Sequence, residues 1–276
     1  MAEITAQVVN EFRKRTGLGL MECKALLKEA DGDLKKAETL AKEKGLKNAE
    51  KRSGRAATAG RIEAVLSPDA SKGALIELAC ETDFVARNDA FREAAAELAA
   101  QALEKGAEGI VEQESIKQPG KKIKEVLVDV NARTGENVEL PRAASFGGAG
   151  KKVDYYIHHD NKSGALVEVE GAAEPALIKD LALHVVASKP VAVNRDEVPA
   201  TVVEEQRRIF EVQVADKPEA VRGKIVDGKI NAWYGESVLL EQLFVKDPAK
   251  KVKDILPAGI TVTRFARFVV GESAEA

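Results

Sequence analysis

One pattern limits the fold of this chain more than any other: a two-strand unit occurs twice. The first copy reads Arg61–Leu66 (RIEAVL), a loop Ser67–Lys72, then Gly73–Leu78 (GALIEL). The second reads Lys152–Ile157 (KVDYYI), a loop His158–Ser163, then Gly164–Val169 (GALVEV), aligned without a gap. Gly73/Gly164, Ala74/Ala165, Leu75/Leu166 and Glu77/Glu168 are identical at matching places. Loops this short imply antiparallel pairing within each unit. Both strand pairs lead into Ala/Leu-rich segments with helical spacing, from Phe84 to about Lys105 and from Pro175 to about Ser188. The expected fold class is therefore α+β, with two related subdomains of antiparallel sheet plus helix packed side by side.

The flanking segments read as helices. At 276 residues the chain is long for one core, so several domains are expected. The first ~45 residues predict three short helices. Thr5 caps the first, with Ile4 and Val9 spaced as a hydrophobic staple and Val8, Val9 and Phe12 on one face. Gly17-Leu18-Gly19 breaks it; a second runs from about Leu20 to Ala30. Asp33 caps a third, ending near Gly45. Lys47 to Gly60, basic and poor in large apolar residues, reads as a linker. A helix is expected from about Ile123 to Thr134. Residues 199–231 predict an inserted antiparallel coiled-coil hairpin turning at Asp216-Lys217-Pro218, with Val202/Val203, Ile209/Phe210 and Val214 facing Val221, Ile225/Val226, Ile230 and Trp233. Strands at Ser237–Val245 and Ile260–Val270 would complete the second sheet. The expected domains are 1–54 (helical bundle and linker), 55–145, 146–190 with 232–276, and the inserted hairpin 191–231.

Composition removes several function classes. Residues 1–61 hold 14 Lys/Arg against 9 Asp/Glu, a basic part (+5) in a chain of net charge −3. That imbalance, interspersed with acids, is too small for a nucleic-acid surface. No run of 18 apolar residues occurs and Met1-Ala2-Glu3-Ile4 does not open a signal peptide, so no membrane segment and a cytoplasmic location are expected. Cys23 and Cys80 lack a CxxC spacing or a His-rich neighbourhood, which makes them core residues rather than metal ligands. Phe146–Lys152 (FGGAGKK) is no phosphate loop: Ser145 stands where the leading Gly is needed and Lys152 where the Mg²⁺-binding hydroxyl is needed. Of the three histidines, His184 lies on an apolar helical face, and His158-His159 sits at a hairpin tip without a nearby Ser or Cys nucleophile. Neither a catalytic site nor a cofactor site is expected.

The unusual segment is Glu81–Asn88 (ETDFVARN), where a strand ends and a helix begins. Asp83 can be read as an N-cap and Phe84 as the first core residue of the helix. Against this, Phe91, Ala95, Leu98 and Ala102 already supply that helix with an apolar stripe.

Arg13–Lys24 (RKRTGLGLMECK), Glu77–Arg87 (ELACETDFVAR), Thr134–Asn137 (TGEN), Tyr156–His158, His184–Pro190 and Phe244-Val245 together resemble, in order, segments of the elongation factor Ts family. Phe12, Ala25 and Leu26 depart from the commoner Leu, Lys and Ala, and Ala79 from a frequent Asn; these read as packing variants. Many members continue into a further C-terminal helix, which this sequence is expected to lack. The resemblance implies a guanine nucleotide exchange factor for elongation factor Tu, not an enzyme, with no cofactor and no metal of its own. By the same resemblance Thr82, Asp83, Phe84 and Val85 intrude beside the partner's Mg²⁺ site. Leu18, Leu20 and Met21 of the bundle, His158 (or His159) and Val245 hold the partner, and the hairpin offers self-association. The bundle with its Gly-x-Gly-Leu-Met turn also resembles ubiquitin-associated (UBA) domains, which leaves a peptide-binding adaptor as the alternative.

Overall fold

The computed structural model describes residues 4–272. It confirms a mixed fold of helices and small antiparallel sheets, in two compact units. Among the described residues one unit takes the chain from Ile4 to Val65, Ile76–Ala144 and Phe268–Glu272; the other takes Leu66–Leu75 and Ser145–Arg267.

The first unit opens with α1 (Ala6–Thr16), α2 (Leu20–Glu29) and α3 (Leu34–Arg52). The Thr5 hydroxyl accepts the Val8 N–H, and Ile4 packs on the core of these helices as the staple requires. Gly17, at φ 72°, ends α1 in the left-handed conformation. Asp33 accepts from the Lys35 and Lys36 amides to start α3. Phe12, Cys23, Leu26, Leu27 and Ala37 form a shared core. The expected stop at Gly45 is wrong: α3 continues to Arg52, and the linker reading fails over Lys47–Arg52. Gly45 is instead a point of helix contact, where a Cβ would meet Val128 and Ala132 at 3.8 and 3.9 Å. Those residues belong to α6 (Ile123–Thr134), found where expected.

The first hairpin is β1 (Ala59–Leu66) and β2 (Lys72–Cys80). A third strand, β3 (Glu139–Gly147), not anticipated from the sequence, completes the sheet in order β1-β2-β3. The single helix expected from Phe84 to Lys105 is two: α4 (Asp83–Ala86) and α5 (Asp89–Lys105). Asn88 causes the break, because its extended backbone and side chain, accepting from the Ala90 amide at 2.9 Å, begin a new helix. Phe91, Ala95, Leu98 and Ala102 are the buried stripe of α5, as read from the sequence.

The second unit repeats the pattern with β4 (Lys151–Ile157), β5 (Ser163–Glu170) and α7 (Pro175–Ser188). β4 and β5 pair antiparallel from Lys151↔Glu170 to Ile157↔Gly164. β8 (Thr261–Val269) flanks β5 on its other side, leaving β5 central and buried on both faces. Val167, Val169, Ile178, Leu181, Val185 and Val262 share one core. The strand expected at Ser237–Val245 is reduced to β6 (Leu243–Phe244), paired with β7 (Asp247–Lys251), and followed by α10 (Val252–Ile255). The Gly-rich stretch Phe146–Lys152 joins the end of β3 to the start of β4. β3 runs into Gly147, whose φ of 131° and lack of a side chain are required, since a Cβ would lie 2.3 Å from the Ser71 carbonyl oxygen.

Between α7 and β6 stands a helical hairpin, α8 (Ala200–Gln213) and α9 (Glu219–Ser237). Val214, Val226 and Ile230 are buried in it with Phe210 and Ile225 against them. Val202, Ile209 and Val221 are instead exposed. Of the pair Ile209/Phe210 only Phe210 reaches the seam, because neighbours on a helix are about 100° apart, whereas Ile225 and Val226 both join it.

The identical glutamates of the repeat do identical work. Glu77, 2% exposed, accepts from Arg142 Nε at 2.7 Å and from the Gly271 amide at 3.0 Å, with the guanidinium over the Phe268 ring. Glu168, 3% exposed, accepts from Arg264 Nη2 at 2.8 Å, the Thr263 hydroxyl at 2.7 Å and the Gly147 amide at 2.7 Å, with that guanidinium over Phe146. Burial alone would raise the Glu168 carboxyl, but the Arg264 and Thr263 hydrogen bonds outweigh it and hold it below the usual range. Each carboxylate thus joins a strand to a glycine amide, a role the sequence repeat marks but does not explain.

Candidate functional site

In the first unit the segment after β2 makes a single helical turn. Thr82 is the N-cap of α4, with its hydroxyl accepting from the Val85 amide at 3.5 Å. Asp83 is therefore the first helical residue, which removes its reading as the N-cap. Phe84 is 91% exposed, so its reading as a core residue is overturned. Of the four residues of α4 only Ala86 is buried. A four-residue helix has no stability of its own, and what holds this one lies elsewhere in the chain.

The anchor comes from the end of α6. Gly135, at φ 78°, reverses the chain there and directs Glu136 and Asn137 toward the turn. Glu136 accepts from the Thr82 amide at 2.9 Å and from the Thr82 hydroxyl at 2.5 Å. In return Glu81 accepts from the Asn137 amide at 2.7 Å, and Asn137 Nδ2 donates to the Arg55 carbonyl at 2.9 Å. From below, Cys80 Sγ donates to the Thr82 carbonyl at 3.2 Å. Burial, and after it the Glu136 charge, push the Cys80 thiol up to about 12, which keeps it a donor rather than a thiolate. Two sequence segments, Glu81–Val85 and Thr134–Asn137, joined by hydrogen bonds that span 54 and 56 residues, thus form one feature. Sequence reading singled out both but missed Glu136; helical and strand periodicity carries no information about such a pairing.

The bundle of the same unit presents Leu20 and Met21 at 50% and 76% exposure. Leu18, grouped with them from the sequence, is 6% exposed and packs in the three-helix core. It belongs to the core of the bundle and offers little surface of its own.

In the second unit His158 and His159 occupy the β4/β5 tip, with ring centroids 4.3 Å apart. His158 is half-buried and its Nδ1 lies 3.3 Å from the Tyr156 hydroxyl, whereas His159 is exposed. Val245 follows β6 at 41% exposure, beside Leu243 at 58%, an exposed apolar residue not singled out from the sequence. Val245 is held by His184, which is fully buried as its apolar helix face predicts. His184 Nδ1 accepts the Val245 amide at 3.2 Å, and Nε2 lies 3.0 Å from Gln242 Oε1. Gln242 Nε2 already donates to the Ser188 and Glu236 carbonyls, so its oxygen accepts and His184 is neutral, protonated on Nε2. Burial lowers its basicity, and the Gln242 bond compensates only in part.

This has a measurable consequence. The unfolded chain takes up the His184 proton near pH 6.5 while the native state resists it. The unfolded state then binds more protons, so this contribution to stability is complete above about pH 7 and declines as pH falls below 6.5. Melting temperatures at pH 7.5 and 5.5 should differ for the native sequence, and His184→Gln should flatten the difference. Equal slopes in the two proteins would remove the role assigned to His184.

Among the described residues no group of three or more His, Cys, Asp or Glu could hold a metal ion, and no helix is long and apolar enough to cross a membrane. Both cysteines are free and buried.

Comparison with known proteins identifies the family. Residues 81–272 match the family described as Elongation factor TS. Elongation factor Ts of Alkalilimnicola ehrlichii is 40% identical over 275 residues, covering 99% of this chain and 94% of the relative. Elongation factor Ts of Trichlorobacter lovleyi is 37% identical over 294 residues, covering 99% and 94%. That of Aquifex aeolicus is 37% identical over 288 residues, covering 97% and 98%. With the matched region beginning at Glu81, where the anchored turn begins, and identity sustained across nearly the whole length, the chain belongs to the elongation factor Ts family of translation elongation factors.

Proposed function

We propose that this chain is a guanine nucleotide exchange factor for elongation factor Tu, acting in the cytoplasm by binding and not by chemical catalysis. The observation that carries the reading is Phe84: a large aromatic, 91% exposed, on a turn fastened by hydrogen bonds from outside its own helix. A buried destination for it is to be found on a partner.

A GTPase of this kind holds GDP through phosphate-loop amides and a Mg²⁺ ion, so disturbing either releases the nucleotide. In this reading Thr82–Val85 enter beside the Mg²⁺ site. Phe84 wedges between partner side chains, and Asp83 places a negative charge near the ion's ligands. Burying one Phe contributes about 1.5–3 kcal/mol, roughly 10- to 150-fold in a local equilibrium. Leu20, Met21, His158 and Val245 supply the grip, with Leu18 in the core of the bundle that carries the first two. The bundle within 1–54 acts as a UBA-like module, 55–145 carries the wedge, and 146–190 with 232–276 carries His158 and Val245. The hairpin within 191–231 is a coiled-coil insertion whose exposed Val202, Ile209 and Val221 suit self-association.

Exchange requires only that the factor bind the nucleotide-free partner better than the GDP form. Reciprocity then obliges nucleotide to weaken the factor's own binding. Excess GDP or GTP should therefore dissociate a preformed complex on size exclusion, and sub-stoichiometric factor should accelerate GDP release. A complex indifferent to nucleotide would refute exchange and leave the UBA-like adaptor as the better reading.

A further inference from the structure

We propose that Glu136 is a positioning residue for exchange: its carboxylate, accepting both the amide and the hydroxyl of Thr82, pre-forms the turn that presents Asp83 and Phe84. The proposal rests on the exchange reading above and adds to it the group that keeps the wedge ready.

The argument starts from what α4 lacks. Its four residues bury only Ala86, and the helix is cut off from α5 by the Asn88 cap. A turn this short, with a single buried residue, is unfavourable in isolation because nucleation fixes several dihedrals for one hydrogen bond. Its exposed Phe gives the free protein no reason to order it. The bonds to the N-cap supply order from outside the turn, and Thr82 has three. The Glu136 carboxylate takes its amide and hydroxyl at 2.9 and 2.5 Å, and Cys80 Sγ donates to its carbonyl at 3.2 Å.

The geometry makes the hydroxyl decisive. Thr82 Oγ1 has one proton, donated to Glu136, which aims a lone pair at the Val85 amide 3.5 Å away. A carboxylate, having no proton of its own to donate, forces this polarity; a neutral side chain would not. Charge-assisted bonds are also the stronger kind. Glu136 is itself held, because Gly135 takes the left-handed conformation and the Glu136 amide lies 3.4 Å from the Thr134 hydroxyl. The reciprocal bond from the Asn137 amide to Glu81 locks the two segments in register. A partner that accepts Phe84 therefore does not have to order the turn that carries it, which is how pre-organisation raises affinity for a bound state.

The test follows release of a fluorescent GDP analogue from elongation factor Tu at rising concentrations of the native protein, Glu136→Ala, Glu136→Gln and Phe84→Ala. Glu136→Ala should lower the saturating rate by about tenfold, the equivalent of ordering a single backbone residue. Half-saturation, set mostly by the remaining contacts, should move less than about twofold. Glu136→Gln keeps an acceptor for the Thr82 amide and should recover part of the loss. Hydrogen exchange at the Thr82, Val85 and Ala86 amides should quicken in Glu136→Ala, while the buried strands keep their protection.

A Glu136→Ala protein that exchanges at the native saturating rate while Phe84→Ala fails would overturn the proposal and leave the exchange reading intact. So would a loss of activity in Glu136→Ala that tracks a lowered melting temperature and is not eased by Gln. If the native protein itself releases no GDP, the exchange reading has failed, and Glu136 has no wedge to position.

Discussion

Phe84→Ala should leave the protein as stable as before and remove at least about nine-tenths of its exchange activity. The expectation follows from exposure. A side chain 91% in solvent contributes nothing to the core, and substitution at such a position changes stability by about 0.5 kcal/mol or less. The same ring, buried in a partner, contributes about 1.5–3 kcal/mol to the complex that releases nucleotide. Had Phe84 been the first core residue of a long helix, its removal would cost about 3–5 kcal/mol of stability. Thermal melts beside GDP-release rates separate the two. A normal melt with undiminished release would take the wedge out of the mechanism.

Arg142→Ala should be the most destabilising single change in the first unit outside its apolar core, by about 3–5 kcal/mol. Its guanidinium, 12% exposed, meets a Glu77 side chain that is 2% exposed, at 2.6 Å, and also donates to the Val269 carbonyl at 2.5 Å. Removing it leaves a buried carboxylate with the Gly271 amide as its remaining described donor and strips Phe268 of the cation over its face. Because the penalty is an unpaired charge and not a lost attraction, Glu77→Leu combined with Arg142→Met should recover much of it. The corresponding Arg264→Ala should cost less, about 1.5–3 kcal/mol, since that guanidinium is 49% exposed and Glu168 keeps Thr263 and Gly147. Denaturant unfolding of the three variants beside the native protein measures all of this. Equal costs at Arg142 and Arg264 would show that burial does not set the difference.

What the chain's order alone determined was whatever depends on neighbours in sequence. Thr5 and Asp33 start helices because a cap bonds amides two or three residues ahead. The two hairpins form because their apolar strands are joined by short loops. α6 and α7 begin and end where expected, since Gly135 and Pro175 act locally. Family membership was legible for a similar reason, its segments being short and ordered along the chain.

Tertiary structure decided everything that depends on distant partners. Gly45 was read as a stop, but against Val128 and Ala132 it is a helix crossing; the same absent side chain serves either purpose. β3 escaped notice because its residues, mostly half-buried, show no clean alternation. Leu18 went inward while Leu20 and Met21 stayed out, a choice made by three helices packing together. Above all, nothing within Thr82–Val85 tells whether Phe84 points in or out. That was decided fifty-four residues later by Glu136, whose two hydrogen bonds fix the cap and leave the aromatic ring in water. Local periodicity reports which faces are apolar; only packing reports which apolar residue has been left without a place in the core.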